Sequence, residues 1–281
     1  MAIHPSAVID PTAQIADDVE IGPNVVVGPN VKIGSQCVLM AGAVVCANTT
    51  MGAGNRVHFN AVLGGDPQYL GFDPKTASGL VIGDNNEFRE LCTVHRGLKD
   101  GTNTVIGNNC FLMATAHVAH DCTLGNNIVL ANGSMLAGHV SVGDRAFVSG
   151  LCAVHQFCRI GRLAMVGGMS GVSKDVPPFL TTRGDFAFLV GVNVVGLRRA
   201  GVGPESRMAI KNAFKNLFRS GHPLNRAITD LREAWQESQS PIPGELSELL
   251  DFCATPSKRG ILAARSLSSG DHQATEDIDV E

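Results

Sequence analysis

Five of the nine histidines in this chain lie between residues 95 and 155, and they are the side chains best suited to moving a proton near neutral pH. Imidazole has an ordinary pKa of about 6.5, so it can accept a hydroxyl proton at pH 7. The segment 117–121 reads His-Val-Ala-His-Asp, which puts a carboxylate directly after His120. His120 is therefore a candidate general base, with Asp121 or a backbone carbonyl to orient its ring. Such a pair needs a rigid framework to hold it.

A six-residue repeat predicts that framework. A large apolar residue recurs every six positions from Ile3 to Leu63 and again from Ile106 to Val172, and 26 hexads fit in all. The fifth position is small or β-branched, and the second is often glycine, which tolerates a tight corner. Three hexads close one triangular coil of about 18 residues, with the large and small residues directed inward and parallel pairing between stacked coils. We therefore predict a mainly β protein, a parallel β-helix of hexapeptide repeats.

The repeat ends after Val176-Pro177-Pro178, where a helical period takes over. Apolar spacing predicts helices around 214–218 and 224–235 and a third, short helix around 245–253. We therefore expect a β-helix domain over residues 1–190, a C-terminal helical domain over 191–265 and an acidic, disordered tail over 266–281. Six of the eight cysteines occupy the inward fifth position, which favours buried free thiols over disulfides or metal ligands.

Charge and hydropathy exclude several classes of protein. The net charge is −4, and five acids without a Lys or Arg in the tail leave residues 1–265 near +1, which argues against a nucleic-acid binder. No apolar run reaches the ~18 residues of a membrane span. The first residues lack a basic segment followed by an apolar one, so we expect no secretory signal and a soluble, cytoplasmic protein.

The 18-residue coil places particular residues above one another. His120 and Gly138 differ by 18 positions, as do Asp121 and His139, so each pair is expected about 4.8 Å apart in adjacent coils. The backbone N–H of Gly138 is then well placed to stabilise an oxyanion. Because no GxSxG elbow is present, the pattern favours acyl transfer without a covalent nucleophile. A metal site built from four histidines is the alternative, namely His95, His117, His120 and His139.

Several segments resemble one acyltransferase family. TVHRG (93–97), AHVAHDC (116–122), LANGSMLAGHVSVGD (130–144), AVHQFCRIG (153–161), MVGGMSGVSKDVPP (165–178), GVNVVGLRRAG (191–201) and FCATPSKRGIL (252–262) are similar to the UDP-N-acetylglucosamine O-acyltransferases of lipid A synthesis. The resemblance implies a left-handed β-helix, a homotrimer with clefts between subunits, and transfer of a 3-hydroxyacyl chain from acyl carrier protein to the glucosamine 3-position. It implies no cofactor and no bound metal.

The resemblance also implies roles for individual residues. His120 matches the base that deprotonates the 3-hydroxyl, Gly138 matches the oxyanion donor, and Gly168 matches the residue that ends the acyl pocket. A glycine at 168 leaves the groove open for a chain of roughly 14 carbons rather than ~10. The remaining matched positions line the sugar and acyl cleft or the nucleotide: His117, His139, His155 and Gln156 for the cleft, and Asn193 and Arg199 for the nucleotide.

The acceptor loop departs from the family pattern. The repeat is interrupted across 64–81, and there the family reads Pro-Gln-Asp-Leu-Lys-Tyr where this chain has Pro-Gln-Tyr-Leu-Gly-Phe at 67–72. Gln68 and Leu70 survive as substrate-binding candidates, but the Asp and the Lys do not. A 3-amino UDP-sugar acceptor is therefore an alternative, as are a γ-carbonic-anhydrase-like hydratase and an inactive scaffold. Five basic residues are candidates for docking the acidic carrier protein: Arg145, Arg159, Arg162, Lys174 and Arg183.

Overall fold

The computed structural model describes residues 2–237 and 241–265, which form a three-sided β-helix followed by helices. The predicted tail, 266–281, lies outside the described residues. The strands in chain order are β1 (Ala2–Ile3), β2 (Val8–Ile9), β3 (Gln14–Ile15), β4 (Glu20–Ile21), β5 (Val26–Val27), β6 (Lys32–Ile33), β7 (Val38–Leu39), β8 (Val44–Val45), β9 (Thr49–Met51), β10 (Arg56–Val57), β11 (Val62–Gly65), β12 (Gly79–Ile82), β13 (Glu87–Phe88), β14 (Thr93–His95), β15 (Asn103–Ile106), β16 (Phe111–Leu112), β17 (His117–Val118), β18 (Thr123–Leu124), β19 (Val129–Leu130), β20 (Met135–Leu136), β21 (Ser141–Val142), β22 (Phe147–Val148), β23 (Ala153–Val154), β24 (Arg159–Ile160), β25 (Met165–Val166), β26 (Gly171–Val172), β27 (Leu180–Arg183) and β28 (Phe188–Val192).

Parallel pairing between successive coils builds the three sheets. Every third strand pairs with the next, as in β1-β4-β7, so that the sheets contain 11, 9 and 8 strands. Most strands are two residues long: one side chain faces outward, and the other is the large apolar residue of the hexad, which from β4 to β26 is buried. The fold is the left-handed parallel β-helix with C-terminal helices that the sequence predicts.

The difference in residue number between paired strands is larger where the repeat is interrupted. Ala2 pairs with Glu20, an offset of 18 residues. Arg56 pairs with Glu87 across the first interruption, an offset of 31, and Thr93 pairs with His117 across the second, an offset of 24. Each insertion therefore leaves the helix as a loop, and the coil resumes in register. The strands that flank these loops are longer than the two-residue strands of the regular coils, with four residues in β11, β12 and β15.

The corners between sheets require a left-handed backbone at the fourth hexad position. Asn24, Asn30 and Asn109 have φ between 56° and 58°, and further non-glycine residues share this conformation along the helix. Asparagine is the most frequent of them because its short polar side chain tolerates positive φ.

The cysteines at the inward fifth hexad position are buried free thiols, as the sequence predicts. Burial raises the pKa of the Cys92 thiol to about 12.

The C-terminal part begins with an antiparallel hairpin that the hexad pattern did not reveal. β27 continues the first sheet and pairs with β28, which ends at Val192, near the domain boundary expected at residue 190. Four helices follow: α1 (Val194–Arg199), α2 (Pro204–Arg219), α3 (Leu224–Glu237) and α4 (Gly244–Ala254). The chain then returns to the prism, where Ile261 bridges to Asp175 and Ala264 bridges to Leu189. Among the described residues, no helix has the length and apolarity needed to cross a membrane.

A buried ion pair of the prism lies where the prism meets this C-terminal part. Asp175 is fully buried, and its carboxylate accepts the Arg159 backbone N–H at 2.8 Å and Nε at 2.6 Å. Arg162 similarly pairs with Glu248 of α4 at 2.8 Å. Both guanidinium groups therefore hold the fold together. Of the five basic residues expected to dock a partner, Arg145, Lys174 and Arg183 are the ones that lie exposed.

Replacement of Arg159 by Ala should destabilise the protein strongly. The change strands a buried carboxylate without its charge partner, which costs about 3–5 kcal/mol in the free energy of unfolding. Arg226→Ala is the matched control, because Arg226 pairs with Asp230 on the exposed face of α3 and such pairs contribute less than about 1 kcal/mol. Urea unfolding measures both. Equal losses in the two variants would contradict the structural role of the buried pair.

Candidate active site

One corner of the prism carries five of the predicted site residues in two vertical columns. The third hexad position gives His120, Gly138 and Gln156 in successive coils, and the fourth gives Asp121, His139 and Phe157. Backbone hydrogen bonds join the columns, since the His139 N–H donates to the His120 carbonyl at 3.0 Å and the Phe157 N–H donates to the Gly138 carbonyl at 3.1 Å. The stacking predicted from the 18-residue coil is present.

The fourth-position residues adopt a backbone that asparagine and glycine favour. Asp121, His139 and Phe157 have φ values of 58°, 59° and 69°. The left-handed conformation costs such residues on the order of 1 kcal/mol each. It places their side chains in one stack: the His139 and Phe157 rings are 4.7 Å apart and nearly parallel, and Lys258 Nζ lies 4.2 Å from the Phe157 ring centroid.

His120 and Asp121 form the polar pair at the centre of this corner. His120 Nδ1 lies 2.8 Å from Asp121 Oδ2. A carboxylate only accepts hydrogen bonds, so Nδ1 carries the proton and donates it. The tautomer follows from this bond: Nε2 has a lone pair and can accept a proton from a substrate. Asp121 is thus the orienting group, and of the two sequence-based alternatives the structure places the carboxylate, not a backbone carbonyl, at Nδ1.

The second interruption of the repeat holds Asp121 in place. The Leu98 N–H donates to Asp121 Oδ2 at 3.2 Å, and the Asp121 N–H donates to the hydroxyl of the buried Thr104 at 2.8 Å. Burial by itself raises the pKa of Asp121, but hydrogen bonds from the Thr102 hydroxyl, the His120 ring and the Leu98 N–H outweigh burial and hold the pKa below its ordinary value. The carboxylate is therefore ionised at neutral pH. No motif or spacing in the sequence indicates these supporting residues.

Gly138 covers the His120 ring, and any side chain there would displace it. A Cβ at Gly138 would lie 2.7 Å from His120 Nε2 and 2.6 Å from Cε1. With this cover the His120 side chain is only 14% exposed.

The Gly138 N–H is available to a ligand. At the same hexad position of another corner, the Asn108 N–H donates to Asn126 Oδ1 and the Asn126 N–H donates to Asp144 Oδ1. Within the described part of the chain, the Gly138 N–H makes no such bond.

Three further histidines surround this pair and are neutral at pH 7. Burial lowers the pKa of His95 to about 4, with further lowering by His117 and His120, and burial also lowers the pKa of His117. For His139, burial lowers the pKa more than the nearby Asp121 raises it. His117 Nδ1 bonds the Thr93 hydroxyl at 2.8 Å, and its ring packs edge-on against His95 at 4.8 Å. Buried His95 Nδ1 has no partner among the described residues.

The other predicted residues lie elsewhere on the chain surface. Gln68 and Leu70 are exposed on the first insertion loop, and Gly168 is exposed on an upper coil. His155 is exposed, with Nδ1 3.1 Å from the Gln156 carbonyl oxygen. Arg199 is the last residue of α1, and Asn193 precedes that helix and caps its first turn.

Both polar atoms of the Asn193 side chain make hydrogen bonds within the fold. Its Oδ1 accepts the Gly196 N–H, and its Nδ2 donates to the Leu163 carbonyl oxygen, each at 2.9 Å. A nucleotide bound at this position would therefore contact a side-chain amide whose orientation these two hydrogen bonds already fix.

The same corner contains a set of atoms that could hold a metal ion. In the described ranges, one group meets that condition: His120, Asp121 and His139 each offer a ligand atom within 4.8 Å of the others. His120 Nδ1 is engaged with Asp121, so a metal ion would compete with the bond that orients the ring. The four-histidine cluster considered from the sequence divides in two, a His95–His117 pair and a His120–His139 pair.

Known proteins are similar to this chain in sequence and in fold. A relative from Gloeothece citriformis named acyl-(acyl-carrier-protein)–UDP-N-acetylglucosamine O-acyltransferase is 41% identical over 216 residues, 77% of each chain. The chain belongs to this O-acyltransferase family. A relative of the same name from an Anaeromyxobacter species is 47% identical over 232 residues, 82% of this chain and 90% of its own. The O-acyltransferases are thus matched over most of their length.

Sequence profiles and a solved structure agree with this membership. The profile described as UDP-N-acetylglucosamine O-acyltransferase, domain 2, matches residues 175–262. The bacterial transferase hexapeptide profile matches 103–138, and that of a GMPPB C-terminal domain matches 3–98. The structure of UDP-N-acetylglucosamine acyltransferase from Campylobacter jejuni is 40% identical, superposes with a TM-score of 0.86, and covers 94% of this chain and all of its own.

The depressed pKa of His95 predicts a loss of stability in acid. In the unfolded chain His95 has its ordinary pKa of about 6.5, whereas in the folded protein its pKa is about 4. As the pH falls from about 6.5 to about 4, the unfolded chain binds a proton that the folded protein does not bind, so the free energy of unfolding decreases across this range. Between pH 8 and pH 5 this histidine should account for about 2 kcal/mol of the decrease in unfolding free energy.

Urea unfolding of His95→Gln at the two pH values checks this. The variant should lose about 2 kcal/mol less than the wild type between pH 8 and pH 5. His222→Gln is the control, since His222 is exposed in the turn before α3 and its replacement should leave the difference unchanged. An identical pH dependence in wild type and His95→Gln would contradict the assignment.

Proposed function

We propose that this protein transfers a 3-hydroxyacyl chain from acyl carrier protein to the glucosamine 3-hydroxyl of UDP-N-acetylglucosamine, the first step of lipid A synthesis. The observation that carries the proposal is the hydrogen-bonded pair of His120 and Asp121, which lies beneath Gly138, whose N–H has no acceptor among the described residues. The names of the relatives support the same donor and acceptor, an acyl group on acyl carrier protein and UDP-N-acetylglucosamine.

The reaction needs one base and one oxyanion donor. His120 Nε2 takes the proton of the sugar hydroxyl as that oxygen attacks the thioester carbonyl carbon. The carbonyl oxygen becomes negative and accepts a hydrogen bond from the Gly138 N–H. The C–S bond then breaks, the ester remains on the sugar, and the proton held by His120 passes to the leaving thiolate. Asp121 stays ionised throughout and stabilises the imidazolium that forms.

The histidines around His120 are neutral, so Asp121 is the charged group nearest to the base. His117 and His139 add no positive charge that would lower the basicity of His120 at pH 7. They can still donate or accept hydrogen bonds to sugar hydroxyls or to the acyl 3-hydroxyl. We place His117, His139, His155 and Gln156 along the cleft for these chains, and Asn193 and Arg199 at the nucleotide, where a guanidinium suits a diphosphate.

The alternatives have weaker support. The relatives are named as O-acyltransferases, which does not favour an amino-sugar acceptor or a hydratase. The hydratase alternative requires bound zinc, which elemental analysis of the purified protein would detect. An inactive scaffold requires that His120→Ala leave activity and ligand binding unchanged, and the hydrogen bond between His120 and Asp121 argues against it.

Exposed apolar residues support a trimer as part of the proposal. Leu151 and Met169 occupy one corner of successive coils and are 66% and 73% exposed, while Met135 on a neighbouring sheet is 48% exposed. A surface of this kind is typical of an interface. The exposed Arg145, Lys174 and Arg183 are the candidates that remain for docking an acidic carrier protein, which we expect to meet the enzyme in the cytoplasm.

Direct assay of the two site residues tests the function. Purified protein is incubated with UDP-N-acetylglucosamine and 3-hydroxyacyl carrier proteins, and acyl-sugar is measured by mass spectrometry. His120→Ala should lower kcat by ~10² to 10⁴, because it removes the base. Gly138→Ala should lower kcat by about 10² or more, because the new Cβ displaces the His120 ring and perturbs the oxyanion donor.

The control is His222→Ala, which removes an exposed histidine outside the prism and should leave kcat unchanged. Thermal unfolding confirms that both site variants are folded. Full activity in His120→Ala would exclude the assigned base. If the wild type acylates no sugar with any donor, the same panel is repeated with the 3-amino sugar nucleotide, and transfer there would replace the proposed acceptor.

Gly168 should control the length of the transferred chain. A Cβ at this position would meet only ordinary contacts, 3.6 Å from the Gly150 carbonyl oxygen and 3.9 Å from Ser149 Cβ, so a side chain fits without moving the backbone. Gly168→Met should shift the preferred donor from roughly 14 carbons toward ~10, because the side chain would occupy the end of the groove. A competition assay with mixed donors measures the shift. Met169→Ala, at the exposed neighbour, should not cause it.

A further inference from the structure

Arg96 lies buried beneath the first insertion loop, residues 66–78, and is only 5% exposed. Its guanidinium binds the loop at three places. Nε donates to Asp66 Oδ1 at 2.9 Å, Nη1 donates to the Thr76 carbonyl at 2.8 Å, and Nη2 donates to the Pro74 carbonyl at 2.9 Å. The Phe72 ring packs against the same guanidinium, 5.0 Å from Cζ to the ring centroid. One side chain therefore contacts both ends of the loop and its middle.

The loop has little else to define its shape. Its internal hydrogen bonds are short-range, such as the Phe72 N–H to the Tyr69 carbonyl and the Lys75 N–H to Asp73 Oδ1. Tyr69 and Leu70 at its tip are 59% and 109% exposed. A segment with so few buried contacts depends on the contacts it does have.

The second insertion loop reinforces the far end of the first. The Ala77 N–H donates to Asp100 Oδ1 at 2.7 Å, and the Gly101 N–H donates to the Ala77 carbonyl at 2.9 Å. Arg96 itself precedes this second loop. The residues 96–101 thus form one support for the end of loop 66–78.

The base of the loop adjoins the histidines of the candidate active site. Gly65, the last residue of β11, pairs with His95, and a Cβ on Gly65 would lie 3.5 Å from the His95 ring. His95 in turn packs against His117. The Arg96 N–H also donates to the Gly65 carbonyl at 3.0 Å. The loop therefore leaves the prism directly beside the proposed chemistry.

We propose that Arg96 is a positioning residue for the sugar-nucleotide acceptor: it fixes loop 66–78 so that Gln68 and Leu70 face the acceptor site. This inference rests on the proposed function. It also accounts for how a loop without the family's Asp and Lys can still present a defined surface, since the anchor at Arg96 lies outside the altered residues 69–71. Arginine is required because its planar fork reaches three acceptors at once, whereas a lysine ammonium acts as a single point charge.

Kinetics of Arg96→Lys and Arg96→Gln test the proposal. Both variants should raise KM for UDP-N-acetylglucosamine by about tenfold or more while KM for acyl carrier protein stays within about twofold, because only the acceptor uses the loop. Arg226→Gln, which removes an exposed guanidinium from α3, should change neither. Equal increases in both KM values, or none, would overturn the assignment. Rescue of the acceptor KM by Arg96→Lys would also overturn it.

A second measurement reports the loop directly and needs no activity. Tyr69 is the only tyrosine of the chain, so uniform labelling with 3-fluorotyrosine gives one ¹⁹F resonance from the tip of this loop. In the wild type the resonance should shift on addition of UDP-N-acetylglucosamine. In Arg96→Gln it should move toward the free-amino-acid position and respond only at about tenfold higher ligand concentration. An unchanged resonance in the variant would show that Arg96 does not set the loop.

Asp66→Asn covers the case in which Arg96 variants do not fold. Asp66 is half exposed on the loop, so its replacement removes one contact of the guanidinium and leaves the prism intact. It should raise the acceptor KM by about threefold and shift the Tyr69 resonance in the same direction as Arg96→Gln. An inactive wild type would count against the proposed function alone, because the ¹⁹F spectra still decide whether Arg96 holds the loop.

Discussion

Hydrogen bonding between coils is the constraint on which the rest of this structure depends. The strands in the described ranges are only two to five residues long, so none of them could persist by itself. Backbone N–H groups of the strands and their flanking residues donate to carbonyl oxygens in the next coil, as the Ala119 N–H does to Leu136 and the Ala137 N–H does to Val154. This requirement fixes which residue lies above which. The spatial neighbours in the site therefore follow from the pairing register.

The site combines that fixed register with two irregular loops. Register alone brings Gly138 over His120 and His139 over Asp121. The bonds that orient Asp121 come instead from Leu98 and Thr104, at the two ends of the second interruption. A perfect repeat would have provided the columns without these donors. The departures from periodicity are thus the parts of the chain that convert a structural corner into a polar site.

The sequence predicted the periodic part of this arrangement well and the irregular part poorly. Coil stacking could be counted from the hexads, which is why the His120–Gly138 contact was predictable, and the helices at 214–218, 224–235 and 245–253 fall within α2, α3 and α4. The hairpin of β27 and β28 was missed because its pairing is antiparallel and does not follow the hexad spacing. The Arg96 contacts were also missed, since backbone carbonyls such as those of Pro74 and Thr76 leave no trace in the residue types. Asn193 and Arg199 were predicted from resemblance alone, and the nucleotide-binding role of both stays a prediction.

The first coils, up to about residue 40, lie below the site and are joined to it by the coils above them. Because each is one turn of the same register, a whole coil of 18 residues could be inserted or deleted there and the chain above would keep every pairing partner. No such freedom exists between residues 62 and 157, where two loops of fixed length must meet particular coils. The number of coils before the site can therefore change without changing the distances between the site residues, whereas a change of length within the site region would alter them.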